Sequence, residues 1–540
     1  MGVGEVATKV TDLGYQMKVL VETGILAPMR PDRTARVVSA LVRGGTTPGT
    51  AIKVAAIKHP DETFLIDEAG SLTFSEVHER STQLARALAR LGLGESDGIG
   101  IMCRNHRGFI ETMLAAGKLG ATALFLNTMF SGPQLAEVVD REGPKILVYD
   151  EEFEDLLVDV PDDVTRVIAW GGGDTGDESL EGLINSADSG DLPVPSVESK
   201  FIVLTSGTTG TPKGAQRSSP KGLSGIAGLL GKIPHRTGEK MVIAAPLFHS
   251  WGFINSIFAL TLGATVVLDR RFDPETAMKR VDEHDAEVLV VVPVMLQMIL
   301  ELPKSTLDGF KAENLGIVTL SGSALPGGLA TEWMDRYGDN IYNLYGSTEV
   351  AFASIATPAD LRIDPATAGR QPRGTLIRLV DEHGVDVPEG EVGRIFVNNG
   401  MTFEGYTGGG GKENLGDYIS SGDVGHIDDR GLLFIDGRDD EMIVSGGENI
   451  FPGEVEELLA GHEHIVEVAV IGVPDEKFGQ SLKAFVVVRG SGDLTESDLK
   501  AYVKSNLASF KAPKEIIFMD ELPRNATGKI LKRSLVVSLD

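Results

Sequence analysis

Residues 205–214 have the sequence TSGTTGTPKG, and they follow a short apolar run at residues 201–204. The apolar run predicts a buried strand, and the small residues after it predict a tight loop. Glycine lets backbone N–H groups approach a ligand closely, the hydroxyl groups add donors, and Lys213 adds a positive charge. This combination is typical of a loop that binds a polyphosphate. It is not a Walker A loop, because the lysine is followed by glycine; the alternative is a surface turn.

Further motifs lie downstream of this loop. In chain order they are LSGSALP at 320–326, IYNLYGSTE at 341–349, SGD at 421–423, GRDDE at 437–441, SGGENIFPGEVE at 445–456, FKAPK at 510–514 and PRNATGK at 523–529. In sequence and order, the motifs resemble those of the adenylate-forming superfamily, which contains acyl-CoA synthetases, peptide-synthetase adenylation domains and beetle luciferases. The chain looks most like a bacterial fatty-acyl-CoA synthetase, and the resemblance covers about residues 60–535.

Length and patterning predict an α/β fold with more than one domain. A chain of 540 residues is too long for one hydrophobic core. Residues 60–200 alternate between strand and helix patterns, with strands predicted at 98–102 and 145–149 and a helix at 76–91. The apolar run at 288–300 predicts a core strand and a helix start. The resemblance implies a large N-terminal domain of stacked α/β sheets with a small distorted β-barrel subdomain, and then a small mobile α+β lid domain. The implied segments are a basic extension at 1–59, an adenylation core at 60–437, a hinge at 438–440 and the lid at 441–540.

Individual motif residues suit the parts of ATP. Tyr345 can stack on adenine, and Asn343 can hydrogen-bond the exocyclic amine. The Asp423 carboxylate can accept both ribose hydroxyls. Thr348 can hold a phosphate or carboxylate oxygen, and Glu349 is a hard oxygen ligand suited to Mg²⁺. The structural alternatives are a core tyrosine and a glutamate on a solvated turn.

The resemblance also assigns sets of residues to each ligand. The implied ATP- and AMP-binding residues are Thr205, Ser206, Gly207, Thr208, Thr209, Gly210, Lys213, Gly322, Ser323, Ala324, Asn343, Tyr345, Gly346, Thr348, Asp423 and Arg438. The implied catalytic residues are Lys529, Thr348, Glu349 and His249, with Glu349 as the metal ligand. Lys529 would neutralise phosphate charge during adenylation.

The acid, CoA and the hinge receive smaller sets. The implied acyl pocket contains His249, Phe253, Ser321 and Gly322. For His249, the alternative is a satisfied histidine in the core. The implied CoA-binding residues are Gly446, Gly447, Phe510 and Lys514, and Asp440 matches the pivot of the hinge.

The implied activity is that of an ATP-dependent acyl-CoA synthetase. Such an enzyme converts a carboxylate and ATP to acyl-AMP and pyrophosphate, and then forms the CoA thioester and releases AMP. The substrates would be ATP, CoA and a small carboxylic acid, with a fatty acid favoured, and the metal would be Mg²⁺. The alternatives are an acyl-AMP ligase that loads an acyl carrier protein, and a ligase for aryl or other carboxylates. A serine hydrolase is disfavoured because the G-x-S-x-G match, GESDG at 94–98, precedes a strand pattern instead of opening a helix.

Composition and charge limit the partners and the compartment. The net charge of −28 argues against nucleic acid as a partner. The single cysteine, Cys103, cannot form a disulfide framework, which favours a reducing cytoplasm. No segment reaches the roughly 18–20 apolar residues of a membrane span. The sequence leaves the oligomeric state open, and a homodimer is compatible with it.

Two segments differ in character from their surroundings. Residues 1–59 carry eight basic and four acidic residues, with apolar residues recurring between 19 and 42. They predict either an amphipathic element that contacts a membrane or an acidic partner, or a helix packed on the body. Residues 171–199, rich in Gly, Asp, Ser and Pro, predict a surface linker. The G-x-G-x-x-G match at 171–176 is rejected as a dinucleotide site because no helix pattern follows it.

Overall fold

The structure of the protein is a computed structural model. It describes residues 3–172, 178–188, 190, 192–205, 213–217, 224–401, 403–439, 443–445, 448–450, 452–475, 479–489, 494–507, 511–525 and 529–537. Packing divides the chain into two compact units. Unit 1 comprises Met1–Ser321, Pro372–Thr375 and Asn399–Gly411, and unit 2 comprises Gly322–Gln371, Leu376–Asn398 and Lys412–Asp540. The predicted boundaries at residues 60, 438 and 441 stay predictions, because this division follows packing and not mobility.

The α-helices described in unit 1 run from the N-terminus to residue 307. They are α1 (Val3–Glu22), α2 (Pro31–Gly44), α3 (Pro48–Lys58), α4 (Phe74–Arg90), α5 (Arg107–Leu119), α6 (Gly132–Glu142), α7 (Leu180–Asn185), α8 (Ser224–Leu230), α9 (Ser250–Leu262), α10 (Pro274–Glu283), α11 (Pro293–Leu300) and α12 (Lys304–Leu307).

The strands described in unit 1 form two sheets. They are β1 (Thr63–Asp67), β2 (Gly70–Thr73), β3 (Gly98–Met102), β4 (Thr122–Phe125), β5 (Pro144–Asp150), β6 (Thr165–Trp170), β7 (Glu178–Ser179), β8 (Phe201–Thr205), β9 (Lys213–Arg217), β10 (Lys240–Ile243), β11 (Thr265–Val267), β12 (Val288–Val291) and β13 (Ile317–Leu320), with β18 (Phe403–Tyr406) joining later from the third segment.

The first sheet of unit 1 has the strand order β13-β12-β10-β11-β1-β2. Its neighbouring strands are parallel except for the antiparallel β1–β2 pair. The four residues of β12 are all buried and apolar, as expected for a parallel strand covered on both faces. The sequence prediction of a core strand and a helix start in residues 288–300 is therefore confirmed by β12 and α11.

The second sheet has the order β18-β9-β8-β4-β3-β5-β6-β7. Strands β3 to β8 are parallel to their neighbours, whereas β8–β9 and β9–β18 are antiparallel. The predicted strands at 98–102 and 145–149 correspond to β3 and β5, and the predicted helix at 76–91 corresponds to α4. Helix α4 begins with a capping box, in which Thr73 and Glu76 each satisfy a backbone N–H of the other.

The prediction of a surface linker at 171–199 is wrong in its middle. Residues 180–185 form α7, and Leu180, Leu183 and Ile184 are buried. Ser179 caps this helix by accepting a hydrogen bond from the Gly182 N–H. The apolar spacing of these three residues outweighs the turn-forming composition around them.

Unit 2 contains the remaining elements. The helices are α13 (Gly327–Tyr337), α14 (Pro358–Ile363), α15 (Pro452–Ala460), α16 (Glu496–Asn506) and α17 (Lys532–Val537). The strands are β14 (Ile341–Tyr345), β15 (Ser354–Ala356), β16 (Leu376–Val380), β17 (Gly393–Asn398), β19 (Asn414–Leu415), β20 (Tyr418–Ile427), β21 (Leu433–Arg438), β22 (Ile443–Ser445), β23 (Glu448–Ile450), β24 (Ile465–Asp475), β25 (Gly479–Val488) and β26 (Glu515–Phe518).

These strands form two five-stranded sheets and a hairpin. An antiparallel sheet has the order β16-β17-β20-β19, with β21 also paired to β20. A C-terminal sheet has the order β23-β22-β25-β24, with β26 parallel to β25. Strands β14 and β15 pair in antiparallel fashion. The C-terminal sheet packs Val470, Leu482 and Leu499 into a core of its own, as expected for a small α+β domain.

Among the described residues, no helix has the length and apolar character needed to cross a membrane.

A close backbone approach in unit 2 predicts a measurable loss of stability. Gly369 and Gly390 both have φ of +84°, but a Cβ at Gly369 would lie 2.2 Å from the Ile355 carbonyl oxygen, whereas nothing lies within 4 Å at Gly390. Gly390→Ala should cost about 1–2 kcal/mol, because a left-handed backbone disfavours a side chain. Gly369→Ala adds a steric overlap and should cost about 3 kcal/mol or more.

Thermal unfolding of both variants at one scan rate separates these contributions. Gly369→Ala should melt at least about 2 °C below Gly390→Ala, since each kcal/mol shifts the melting temperature of a unit of this size by about 2–4 °C. Equal melting temperatures would show that the segment around Gly369 relaxes freely.

Candidate active site

The predicted phosphate loop joins the ends of two paired strands. Thr205 is the last residue of β8 and Lys213 the first of β9, and the two lie opposite each other in the antiparallel register. Ser206, Gly207, Thr208, Thr209 and Gly210 lie outside the described residues. The Lys213 side chain is exposed, and its Nζ lies 5.5 Å from the centroid of the Tyr406 ring.

A buried carboxylate supports the base of this loop. The Thr407 backbone N–H donates to the Gly214 carbonyl at 2.8 Å, and the Gly214 N–H donates to Thr407 Oγ1 at 3.2 Å. The Thr407 hydroxyl in turn donates to Glu142 Oε1 at 2.6 Å. A Cβ at Gly214 would lie 2.6 Å from Thr407 Oγ1. Glycine is therefore required there, and Thr407 and Glu142 are positioning residues that the sequence did not reveal.

The predicted pocket histidine has a buried, unpartnered ring nitrogen. His249 immediately precedes α9, and its Nε2 has no hydrogen-bond partner in the part of the chain that the structure describes. Burial lowers the pKa of His249 to about 4, so the ring is neutral at physiological pH. A buried polar atom without a partner costs free energy, which favours a ligand group over a satisfied core histidine.

The backbone before His249 is fixed by an asparagine from a distant strand. The Asn105 amide donates to the carbonyls of Ile243 at 3.3 Å and Ala245 at 2.9 Å, and its Oδ1 accepts from the Leu247 N–H at 2.8 Å. Asn105 follows β3 and is buried. It is a third positioning residue that the sequence analysis missed, since nothing in the local pattern links residues 105 and 247.

Aromatic rings surround the start of α9. Phe253 lies one turn after His249, and its ring centroid is 4.9 Å from those of both Phe125 and Phe201. Phe125 is buried, whereas Phe201 and Phe253 are partly exposed. Ser321, the other pocket residue predicted in unit 1, is buried just after β13.

In unit 2, the predicted adenine and ribose residues are in direct contact. The Tyr345 hydroxyl donates to Asp423 Oδ2 at 2.6 Å, and Arg438 Nη1 lies 3.5 Å from Asp423 Oδ1. Asp423 and Arg438 are opposite each other in the β20–β21 register. The Asp423 backbone N–H donates to Ser421 Oγ at 3.1 Å. From the sequence, all three side chains were predicted to bind one nucleotide, but their contacts with each other were not predicted.

Opposing effects act on the pKa of the Asp423 carboxyl. Burial raises the pKa of its carboxyl, while the hydrogen bond from Tyr345 and the charge of Arg438 act to lower it. The charges of Lys529 and Lys412 lower the pKa of Asp423 as well. Lys529, the predicted adenylation lysine, is therefore within electrostatic reach of the predicted ribose-binding carboxylate in the same unit.

The other predicted residues of unit 2 lie on or beside β14. Asn343 is buried, and its Oδ1 has no hydrogen-bond partner among the residues described. A Cβ at Gly346 would lie 2.1 Å from the Ala351 carbonyl oxygen, so this turn requires glycine. Thr348 and Glu349 follow in the same turn, with Glu349 buried. Residues 322–324, which begin this unit, follow directly on Ser321 in the chain.

The predicted CoA and hinge residues are only partly described. Asp440, Gly446, Gly447 and Phe510 lie outside the described residues. Lys514 is exposed, and its Nζ forms a 2.5 Å ion pair with Asp475 Oδ2. Asp439, next to the predicted pivot, accepts a hydrogen bond from Arg394 Nε at 2.8 Å.

A second group of potential metal ligands has a structural explanation. Cys103, His106 and Asp150 are buried, with their ligand atoms within 4.8 Å of one another. His106 Nε2 lies 2.8 Å from Asp150 Oδ1, and His106 Nδ1 accepts from the Gly108 N–H. Both ring nitrogens are thus occupied, so this group reads as a hydrogen-bonded link between β3 and β5.

Comparison with known proteins places the chain in a family. Residues 52–407 match the AMP-binding enzyme family, and residues 454–529 match the C-terminal domain of AMP-binding enzymes. The chain belongs to the AMP-binding enzyme family. It is an acid–thiol ligase, which confirms the predicted superfamily and enzyme class.

Similarity to known proteins covers nearly the whole chain. An indoleacetate–CoA ligase of Aromatoleum aromaticum is 31% identical, covering 88% of this chain and 94% of the relative. A feruloyl-CoA synthase of an Amycolatopsis species is also 31% identical, covering 88% and 95%. A solved structure of o-succinylbenzoate CoA synthetase from Bacillus subtilis, with its acyl-adenylate intermediate, has a TM-score of 0.78 at 25% identity and covers 90% and 97%. This likeness confirms the predicted fold class.

The Tyr345–Asp423 contact predicts a pH effect on nucleotide binding. If Asp423 accepts the ribose hydroxyls, it must be ionised, and ATP binding should weaken as pH falls through its pKa. The Tyr345 hydrogen bond lowers that pKa. Tyr345→Phe should therefore raise it and move the acid limb of the ATP KM profile to higher pH.

Tyr342→Phe is the matched control, because Tyr342 lies on the same strand but has no hydrogen bond to Asp423. Its profile should overlay that of the wild type. A Tyr345→Phe limb that stays in place, or moves to lower pH, contradicts the assignment of Asp423.

Proposed function

We propose that this chain joins an aromatic carboxylic acid to CoA at the expense of ATP. The observation that carries the choice of acid is the ring cluster of Phe125, Phe201 and Phe253 beside His249. Two of these rings are partly exposed, and aromatic side chains bind a further ring through edge and offset contacts. The named relatives support the same choice, since indoleacetate, ferulate and o-succinylbenzoate all contain an aromatic ring.

The acid would bind with its carboxylate toward His249. A neutral imidazole can donate one hydrogen bond from Nε2 to a carboxylate oxygen without adding charge. The unpartnered state of this atom supports that role. Phe253, one turn further along α9, would contact the ring of the acid. Ser321 and Gly322 would line the same pocket, as the resemblance implies.

The ATP-binding assignments extend the same reasoning. Residues 205–210 and Lys213 would hold the phosphates, and residues 322–324 with Gly346 would let adenine approach the backbone closely. Asn343 Oδ1, buried and unpartnered, suits the exocyclic amine of adenine, which is a donor. Asp423 would accept the ribose hydroxyls while Arg438 remains beside it.

Mg²⁺ fits the donor set at the end of this motif. Glu349 offers a buried carboxylate, and Thr348 offers a neighbouring hydroxyl. Hard oxygen donors of this kind are the ligands that Mg²⁺ prefers, usually as one or two carboxylates with substrate phosphates. When bound, the ion would neutralise charge on the phosphate oxygens. Lys529 would add a positive charge on the same oxygens as the acid attacks the α-phosphate and pyrophosphate leaves.

In the second half-reaction, the CoA thiolate would attack the carbonyl carbon of the adenylate, and AMP would leave with the bonding electrons. Gly446, Gly447, Phe510 and Lys514 are the residues proposed to bind CoA. The proposed lid covers residues 441–540, and rotation at the 438–440 hinge about Asp440 would bring Lys529 or the CoA residues to the site in turn.

A fatty acid remains a second candidate because of one observation. The face of α9 that carries Phe253, Ile254, Ile257 and Phe258 is apolar and only partly buried. Such a face could line a tunnel for an acyl chain. The three packed rings next to it offer ring faces to an aromatic acid, which is why the aromatic acid is preferred.

A substrate panel distinguishes these candidates. The purified chain is assayed with ATP and CoA on indole-3-acetate, ferulate, 2-succinylbenzoate, octanoate, palmitate and oleate, with AMP and the thioester measured separately. An aromatic acid should exceed every fatty acid in kcat/KM by about ten-fold or more, as expected when shape decides selectivity. EDTA should abolish turnover and excess Mg²⁺ restore it. A higher kcat/KM for a fatty acid would replace the first candidate by the second, and adenylate without thioester would indicate a different acceptor.

Removal of the Lys529 charge should impair one half-reaction. Lys529→Ala should lower acyl-AMP formation by about 10²–10³-fold, the usual effect of losing one group that stabilises a developing anion. Supplied with preformed acyl-AMP and CoA, the same variant should form thioester at the wild-type rate.

Lys504→Ala, which removes an exposed lysine of α16, is the control. It should leave both half-reactions unchanged. Equal loss of both half-reactions in folded Lys529→Ala would rule out the proposed division of labour.

A further inference from the structure

Helices α1 and α2, with the turn between them, carry an unusual share of the exposed apolar side chains. Among the described residues, seven of eighteen exposed large apolar side chains lie between residues 13 and 42. They are Leu13, Met17, Val21, Leu26, Val38, Leu41 and Val42. Single exposed apolar residues are ordinary, whereas a local group of them marks an interaction surface.

Helix α2 divides into three faces. At roughly 100° per residue, Val38, Leu41 and Val42 share one face, and Val42 is 80% exposed. Val37 lies on a second face and is the one residue of α2 that is buried. Arg36 and Arg43 are seven positions apart and therefore share a third face, where both are exposed. The helix thus has an apolar stripe and, roughly opposite it, a basic one, in addition to the face that packs inward.

The orientation of α2 is fixed by its contacts with α3. The Thr50 hydroxyl donates to the Gly44 carbonyl at 2.8 Å, and Arg33 Nη1 donates to the Lys58 carbonyl at 3.1 Å. These bonds hold both ends of α2, with Val37 buried between them. The apolar stripe is consequently held outward by the fold, and it cannot turn inward without breaking these contacts.

The charge of α2 indicates the kind of partner. Arg36 and Arg43 have no ion-pair or hydrogen-bond partner in the described part of the chain, although the whole protein has a net charge of −28. Residues 1–59 carry a net charge of +4, so the remainder carries −28 − 4 = −32. A partner with anionic groups above an apolar layer complements this surface. Interfacial helices combine a basic face and an apolar face in this way.

We propose that α2 docks on the surface of an anionic phospholipid membrane. Val38, Leu41 and Val42 would enter the boundary between headgroups and acyl chains, and Arg36 and Arg43 would contact lipid phosphates. Anionic lipids attract basic segments within a Debye length of the surface. This surface is independent of the acid that the enzyme uses.

Vesicle binding tests the proposal directly. The full chain is floated with vesicles of phosphatidylcholine alone and of phosphatidylcholine with phosphatidylglycerol, at low and high salt. Binding should require phosphatidylglycerol and fall at high salt. Val38→Gln with Val42→Gln should weaken it by about ten-fold or more, because two apolar side chains leave the bilayer boundary. Arg36→Glu with Arg43→Glu should abolish the preference for phosphatidylglycerol.

A matched control distinguishes vesicle binding by this surface from nonspecific adsorption through exposed apolar side chains. Val158 is 79% and Val385 is 60% exposed, close to the 80% of Val42 and 52% of Val38. Val158→Gln with Val385→Gln should bind vesicles like the wild type. The α2 variants should keep the wild-type melting temperature, since exposed positions contribute little to stability.

Two outcomes would overturn the proposal. One is wild-type protein that fails to bind anionic vesicles, or binds no better than the Val38→Gln, Val42→Gln variant. The other is a wild-type dimer in light scattering that this variant converts to a monomer without any vesicle binding, because the stripe would then be a contact between two copies.

Discussion

The buried carboxylate of Asp423 is the constraint on which unit 2 depends. An ionised group out of water is costly unless hydrogen bonds and opposite charge compensate it. Here the compensation comes from the Tyr345 hydroxyl and Arg438, and the charges of Lys529 and Lys412 act in the same direction. Tyr345 lies on β14, Asp423 on β20 and Arg438 on β21, so satisfying one charge links three strands at the candidate nucleotide site.

Polar supporting residues, buried or partly buried, have the same role in unit 1. Glu142 holds Thr407, and Thr407 holds the backbone at Gly214. Both the nitrogen and the oxygen of the Asn105 side-chain amide hydrogen-bond to the backbone before His249. In each case a polar group fixes a backbone segment next to a candidate ligand group, and His249 Nε2 is left without a hydrogen-bond partner among the described residues. A binding site requires a rigid supporting structure around polar atoms that remain available to the ligand.

Local patterns predicted the fold where burial is continuous. Strands such as β3 and β12 are unbroken apolar runs, since both faces of a parallel sheet are covered. Helix α7 was missed because it has only six residues within a stretch rich in Gly, Asp and Ser. The supporting residues were missed for a different reason. Glu142 and Thr407 are 265 positions apart, and Asn105 and Leu247 are 142 apart, so no local pattern connects them.

The candidate nucleotide site was more predictable than the acid pocket, and the difference is chemical. ATP presents the same phosphates, hydroxyls and amine in every reaction of the family, so its partners are polar groups with directional bonds, and these leave motifs in the sequence. The acid beyond its carboxylate presents only shape and apolar area. Leucine, isoleucine and phenylalanine can all satisfy such a surface, and the contribution of each depends on how its ring or methyl groups meet neighbours from other strands. Phe253 alone is compatible with a fatty acid. Its contacts with Phe125 and Phe201 bring together rings from α9, β4 and β8, so the proposed choice of an aromatic acid depends on packing and not on any one motif.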